Sequence, residues 1–93
     1  MVTVYRITLV CKGVPALVGP AAAHAITREF IDRSWHKQVT CAWDGSQLIL
    51  QAENDFDSKG LALLDEFSAA ISTCINDPFD RDLIVLSIRE LKR

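Results

Sequence analysis

Apolar and polar positions along this chain fall into four alternating runs and two runs of helical period. The clearest pattern lies in the middle. Residues 39–53 read V-T-C-A-W, then Asp44-Gly45, then S-Q-L-I-L-Q-A-E. Asp-Gly between alternating apolar runs is a strong hairpin signal, because a type I′ turn needs positive φ at both central residues. A two-residue turn there sets Trp43 opposite Ser46, Cys41 opposite Leu48 and Val39 opposite Leu50. One face of the hairpin then carries Val39, Cys41, Trp43, Leu48, Leu50 and Ala52. The reverse carries Thr40, Ala42, Gln47, Ile49, Gln51 and Glu53. A sheet with one oily face requires helices over that face.

The flanking sequence supplies them. Val2 to Cys11 alternates and is rich in β-branched residues, so it reads as a strand with Tyr5, Ile7, Leu9 and Cys11 toward the helices and Val4, Arg6, Thr8 and Val10 away. Gly13, Pro15 and Gly19 mark residues 12–19 as an apolar loop. Pro20 suits the first turn of a helix running to Arg33 or Ser34, with Ala22, Ala23, Ile26 and Phe30 buried and Arg28 and Asp32 outside. Trp35 is expected to close the bottom of the core. After the hairpin, Asp57 or Ser58 is placed to cap a second helix over residues 59–75. Its expected buried stripe is Leu61, Leu64, Phe67, Ile71, Cys74 and Ile75, with Asp65 and Glu66 on its outer face. Asp77-Pro78 stops that helix, since proline disfavours αR at the residue before it. Leu83 to Leu91 alternates again, predicting Ile84, Leu86 and Ile88 inward and Val85, Ser87 and Arg89 outward.

The order β-α-β-β-α-β with a tight central hairpin resembles the ferredoxin-like, or split βαβ, fold. That resemblance implies one α+β domain over residues 1–93: a four-stranded antiparallel sheet of order 4-1-3-2 with two helices on one face. It rests on element order and carries no function. It places loop 12–19, the Asp44-Gly45 turn and loop 76–82 at one end of the sheet, and segments 34–38 and 54–58 at the other.

Composition narrows the function class. A chain of 93 residues with 49% hydrophobic content supports one core and excludes general disorder. No apolar run approaches the ~18 residues a bilayer span needs, and Met1 to Arg6 lacks a signal-peptide layout, so a cytoplasmic location is expected. Cys11, Cys41 and Cys74 are odd in number and sit in apolar patterns, which reads as buried thiols. Residues 53–82 hold eight acids and two bases, whereas the remainder holds four acids and eight bases. An acidic half argues against a phosphate-backbone partner there and suits a basic protein partner.

Four kinds of chemistry fail on spacing. Asp55-x-Asp57 and Asp80-x-Asp82 fall at opposite ends of the fold and lack calcium-loop spacing, and His24 and His36 have no ligand-spaced partner, so no metal and no cofactor is expected. Acylphosphatases share the resembled fold and carry a glycine-rich anion cradle after the first strand. Loop 12–19 lacks the cradle's arginine and repeated glycines. No histidine is placed to activate a cysteine. The open sheet face has no aromatic for stacking RNA bases.

The open face itself remains. Val4, Val10, Ala42, Ile49 and Val85 make it partly apolar, with Arg6, Thr8, Gln47, Gln51 and Arg89 among them. An uncovered patch of this kind calls for a partner, and ferredoxin-like domains commonly cover it by face-to-face dimerisation. The expectation is a small interaction module, a homodimer through this face and not an enzyme. An immunity-type acidic surface of Asp65, Glu66, Asp77, Asp80 and Asp82 would meet a basic partner. The alternative is a small enzyme or ligand-binding domain with a pocket near loops 12–19 and 76–82, served by Lys12, Asp80 and Arg81.

Overall fold

The computed structural model describes residues 2–76 and 79–92. Alternation in the first run forms β1 (Thr3–Lys12), followed by α1 (Gly19–Glu29), β2 (Lys37–Trp43), β3 (Leu48–Asn54), α2 (Leu61–Cys74) and β4 (Asp82–Lys92). The strands form one antiparallel sheet in the order β2-β3-β1-β4, which counted from the other edge is 4-1-3-2. The architecture is α+β. The core lies between one sheet face and both helices: Ile7, Leu9, Cys11, Leu48, Leu50 and Ala52 from the sheet meet Ile26 from α1 and Leu63, Phe67 and Ile71 from α2. Each large side chain fully buried there contributes roughly 1.5–3 kcal/mol of transfer free energy. The central strands β1 and β3 therefore supply most of the sheet's share of stability.

The hairpin keeps its faces but not its register. Trp43 pairs with Leu48, Cys41 with Leu50 and Ala42 with Ile49. Residues 44–47 form a four-residue loop, with the Asp44 N–H donating to the Gln47 carbonyl at 3.2 Å. The Asp44 carboxylate explains the longer loop. Its Oδ1 accepts from the Ser46 and Gln47 N–H groups, both at 2.9 Å, and its Oδ2 from Gln47 Nε2 at 3.1 Å. The backbone donors of Ser46 and Gln47 hold the Asp44 carboxyl below the usual carboxylate range. The pairing shifts by two residues, the side-chain period of a strand, so every core residue stays on the core face. Gln47, expected on the open face, instead closes this loop.

Both helices differ from expectation at their ends. The first stops at Glu29 rather than Arg33 or Ser34. Residues 30–36 continue through tight turns, with the Arg33 N–H on the Phe30 carbonyl and the His36 N–H on the Arg33 carbonyl, both at 3.1 Å. The Arg33 guanidinium donates to the Glu29 carbonyl and so satisfies a helix-terminal acceptor. The second helix begins at Leu61, after Gly60 in left-handed geometry (φ 75). Asp57 still serves that helix end from outside it: its carboxylate oxygens accept from the N–H groups of Ala62 (3.1 Å) and Leu63 (2.9 Å). The buried stripe of α2 runs through Leu63, Phe67, Ala70 and Ile71 rather than through Leu61, which is 60% exposed at the first position of the helix. At the other end α2 gives way to an extended Ile75. The expected stop at Asp77-Pro78 lies outside the described residues.

The last strand carries the largest correction. It pairs Thr8 with Ser87 but Leu9 with Val85, leaving Leu86 as an extra residue in a β-bulge. The bulge inverts the inward set on one side of it. Leu83, Val85 and Ile88 pack against the core, while Ile84 pairs beside the outward Val10 and Leu86 is 60% exposed. Val85, expected on the open face, thus belongs to the core layer, and Ile84 and Leu86, expected inside, lie outside it. Truncation should separate the two. In dilute solution Val85→Ala should cost about 1–2 kcal/mol in urea unfolding and Leu86→Ala about 0.5 kcal/mol or less. The reverse ranking would restore unbroken alternation.

Candidate functional site

The open face is built by pairing, and its residues fall into bands across the strands. At the end nearest the 44–47 loop, Ile84, Val10, Ile49 and Ala42 stand side by side on β4, β1, β3 and β2. Val10 is almost fully buried on this face yet is not part of the helix-side core. The next band is hydroxyl and amide: Ser87, Thr8, Gln51 and Thr40, with Gln51 Nε2 donating to Thr8 Oγ1 at 3.0 Å. The third is charged: Arg89, Arg6, Glu53 and Lys37. Beyond it Val4 pairs with Leu91. Val85 and Ile88 point to the core, so both residues between them, Leu86 and Ser87, fall on the open side.

Within the charged band Arg6 holds Glu53. Its Nε donates to Glu53 Oε2 at 2.9 Å, and a terminal guanidinium nitrogen lies 2.7 Å from the same oxygen. Glu53 is almost fully buried, so its attraction to Arg6 is little screened and removing Arg6 would leave a buried carboxylate without this counter-charge. A cavity of about 410 Å³ lined by Arg6, Gln38, Thr40, Gln51 and Glu53 opens over this band. A second, of about 490 Å³, lies at the lower end between Val2, Val4, Trp35, Lys37, Gln38 and Asp55. Gln38 lines both and has φ 53, within a β2 irregularity that sets Lys37 opposite Glu53 and Thr40 opposite Gln51. Trp35 does not close the core as expected: it is 51% exposed on the rim of the lower cavity.

Of the residues expected to form this face, Val4, Arg6, Thr8, Val10, Ala42, Ile49, Gln51 and Arg89 share it. Gln47 and Val85 do not, for the reasons given above. Ser87, expected outward, is there too; Ile84 and Leu86 were missed, because residues 83–86 are apolar at both parities and no alternation can reveal a bulge there.

The acidic surface is smaller than its sequence suggests. Asp65, Asp80 and Asp82 are exposed, and Asp77 lies outside the described residues. Glu66 is not a free acid. Arg33 Nε lies 3.1 Å from its Oε1, and His36 Nε2 is 2.7 Å from its Oε2, with Trp35 Nε1 donating to the same oxygen at 3.5 Å. A cation also interrupts the surface, since Arg81 donates to the Ser68 carbonyl at 3.1 Å, one turn from Asp65. Near the expected pocket by loops 12–19 and 76–82 the backbone of Gly13 lies so close to Asp80 that a Cβ there would collide with the Asp80 carbonyl. Neither cavity includes Lys12, Asp80 or Arg81.

His36, to which the sequence assigned no role, lies in a closed polar network. Its side chain is 0% exposed and packs among the rings of Phe30, Trp35 and Phe56 at 5.9–6.0 Å. Asn54 sets its tautomer. Asn54 Oδ1 accepts from the N–H groups of Phe56 (3.2 Å) and Asp57 (2.8 Å), which turns Nδ2 toward His36 Nδ1 at 3.2 Å. Nδ1 is therefore the acceptor, and Nε2 carries the proton donated to Glu66. This chain of bonds ties the 30–36 turns and the end of β3 to α2. Its enclosure gives a substrate no access.

The thiols are held in their protonated form. Burial pushes Cys41 up to about 12, with the neighbouring Cys74 and Cys11 adding to it. Cys11 and Cys74 are also raised, chiefly by burial. Among the described residues no three His, Cys, Asp or Glu side chains gather as a metal site, and no helix is long and apolar enough to cross a membrane. The chain matches no known protein family, no curated protein and no solved structure.

Two outcomes follow from these environments. Glu66→Ala should cost about 1–3 kcal/mol by leaving the His36 N–H buried without an acceptor, whereas Asp65→Ala should stay within about 0.5 kcal/mol; equal effects would mean that Glu66 is an ordinary surface acid. Iodoacetamide at pH 8 should alkylate the three thiols far more slowly in the native chain than in urea. A thiol modified at the unfolded rate would contradict its raised pKa.

Proposed function

We propose that this chain is a small protein-interaction module that self-associates through the open face of its sheet. The observation that supports it best is the apolar band Ile84–Val10–Ile49–Ala42 on the helix-free face, with the 60% exposed Leu86 beside it. Both helices occupy the other face; Ala42 is exposed, Ile84 and Ile49 are part-exposed, and Val10 is almost fully buried between them. Exposing a contiguous apolar strip of this kind is unfavourable, and a partner that removes it from water gains burial energy. The element order and strand order favour a ferredoxin-like reading of the fold, whose members commonly cover this face by pairing with a second copy. The enclosed His36 and the three thiols raised by burial line neither cavity. Three free thiols fit a reducing compartment such as the cytoplasm.

Sedimentation velocity and light scattering over a hundredfold concentration range test this reading. The mass should rise from 10.3 kDa toward twice that value. Leu86→Glu should weaken association at least tenfold while leaving the circular dichroism spectrum intact. A chain that stays at the monomer mass at the highest concentration overturns the proposal.

A further inference from the structure

Resting on that self-association, the geometry points to one particular dimer: two sheets face to face about a two-fold axis parallel to the strands, passing between β1 and β3. This axis lays β4 of one copy over β2 of the other and β1 over β3. Each band then meets itself in reverse order. In the apolar band Ile84 lies over the small Ala42 of the second copy, and the almost fully buried Val10 over Ile49. In the polar band Thr8 faces Gln51, an amide opposite a hydroxyl, the pairing these two residues already make within one chain. In the charged band the part-exposed Arg6 comes over the almost fully buried Glu53 and Glu53 over Arg6, so basic and acidic positions face each other on both central strands.

Shape agrees with charge. The bulge lifts two residues of β4, Leu86 and Ser87, onto the open side between the apolar and polar bands. The partner's β2 offers the small Ala42 and Thr40 at that level, on the rim of the 410 Å³ cavity. The unfavourable contact is Arg89 over Lys37. It falls at the two outer strands, where solvent and salt screen it. A two-fold axis running across the strands instead stacks each strand on its own copy and reverses the band order. Placed between the polar and charged bands, it sets Arg6 and Glu53 against Thr8 and Gln51 and loses the acid–base match.

The area is modest. Strands about 4.8 Å apart, with β2 and β3 seven residues long, β1 ten and β4 eleven at ~3.3 Å per residue, give a face of roughly 550 Å² per copy, or ~1,100 Å² in all. That total lies just below the range of stable specific interfaces and implies a weak dimer that dissociates on dilution.

Thiol crosslinking reads the axis directly. Thr40 and Ser87 are exposed on the two outer strands, three strand spacings or ~14 Å apart within one sheet. Chains carrying Thr40→Cys and chains carrying Ser87→Cys are mixed and treated with a bis-maleimide shorter than that separation, with the parent chain reporting any background from the native thiols. The strand-parallel axis predicts a crosslinked dimer only in the mixture, capturing about half of the dimers because random exchange makes half of them mixed. Ala42→Cys with Ile84→Cys provides a second pair in the same arrangement, should either first variant disturb folding. Crosslinks in the separate Thr40→Cys or Ser87→Cys samples, or a dimer by sedimentation without a crosslink in either mixture, overturn this axis and leave self-association standing. A monomer at every concentration overturns the self-association reading and the axis with it.

Discussion

The β1–β3 ladder is the constraint on which this structure depends. Each residue pair along it serves one of two layers. Ile7 with Ala52, Leu9 with Leu50 and Cys11 with Leu48 form the floor beneath the helices, while Arg6 with Glu53, Thr8 with Gln51 and Val10 with Ile49 form the open face. The two layers are therefore fixed by one set of backbone hydrogen bonds. A slip of one residue would exchange them, driving Arg6, Thr8 and Gln51 into the core. The energetic asymmetry is large, because burying a charged or amide group without a partner costs more than any single ladder bond returns. Everything outside this pair, including the turns, the helix ends and the outer strands, adjusts around it.

The outer strands adjust by irregularity. β4 carries one extra residue and β2 carries another beside Gln38, and both strands lie at the edges of the sheet. Bulges at edges discourage open-ended strand addition, since they interrupt the row of free backbone groups that a stray strand would use. Here they also shape the open face: one raises Leu86 and Ser87 on β4, and the other lies where both cavities meet at Gln38. Edge protection and surface relief come from the same residues. A face that is hard to extend edgewise yet carries a continuous apolar band favours stacking over strand addition.

The lower end of the core is held by polar contacts. Asn54 and Asp57 cap the passage from β3 into α2, and Asn54 also orients His36 against Glu66, which in turn holds Arg33. Among the described residues no buried side-chain polar atom lacks a partner. A fully satisfied network of this kind specifies one arrangement, because displacing any member strands another in a low-dielectric site. It gives the short 30–36 segment a defined path where the helix has already ended.

The sequence by itself determined the layers. Alternation with a period of two placed Cys41, Trp43, Leu48 and Leu50 beneath the helices, and did so even though the turn was two residues longer than Asp44-Gly45 alone suggested, because a shift of two leaves every face unchanged. It placed Ala22, Ala23, Ile26 and Phe30 on the buried arc of α1 for the same kind of reason, and marked Asp57 as a capping group by its chemistry and position. Tertiary structure alone decided the rest. Residues 83–86 are apolar at both parities, so only pairing with β1 could select Val85 for the core and leave Leu86 outside. Glu66 and His36 lie 30 residues apart and Asn54 and His36 lie 18 apart, and no local period links them. Their meeting, and with it the removal of Glu66 from the acidic surface, follows from how α2 settles against the 30–36 turns, a long-range contact that local propensity does not encode.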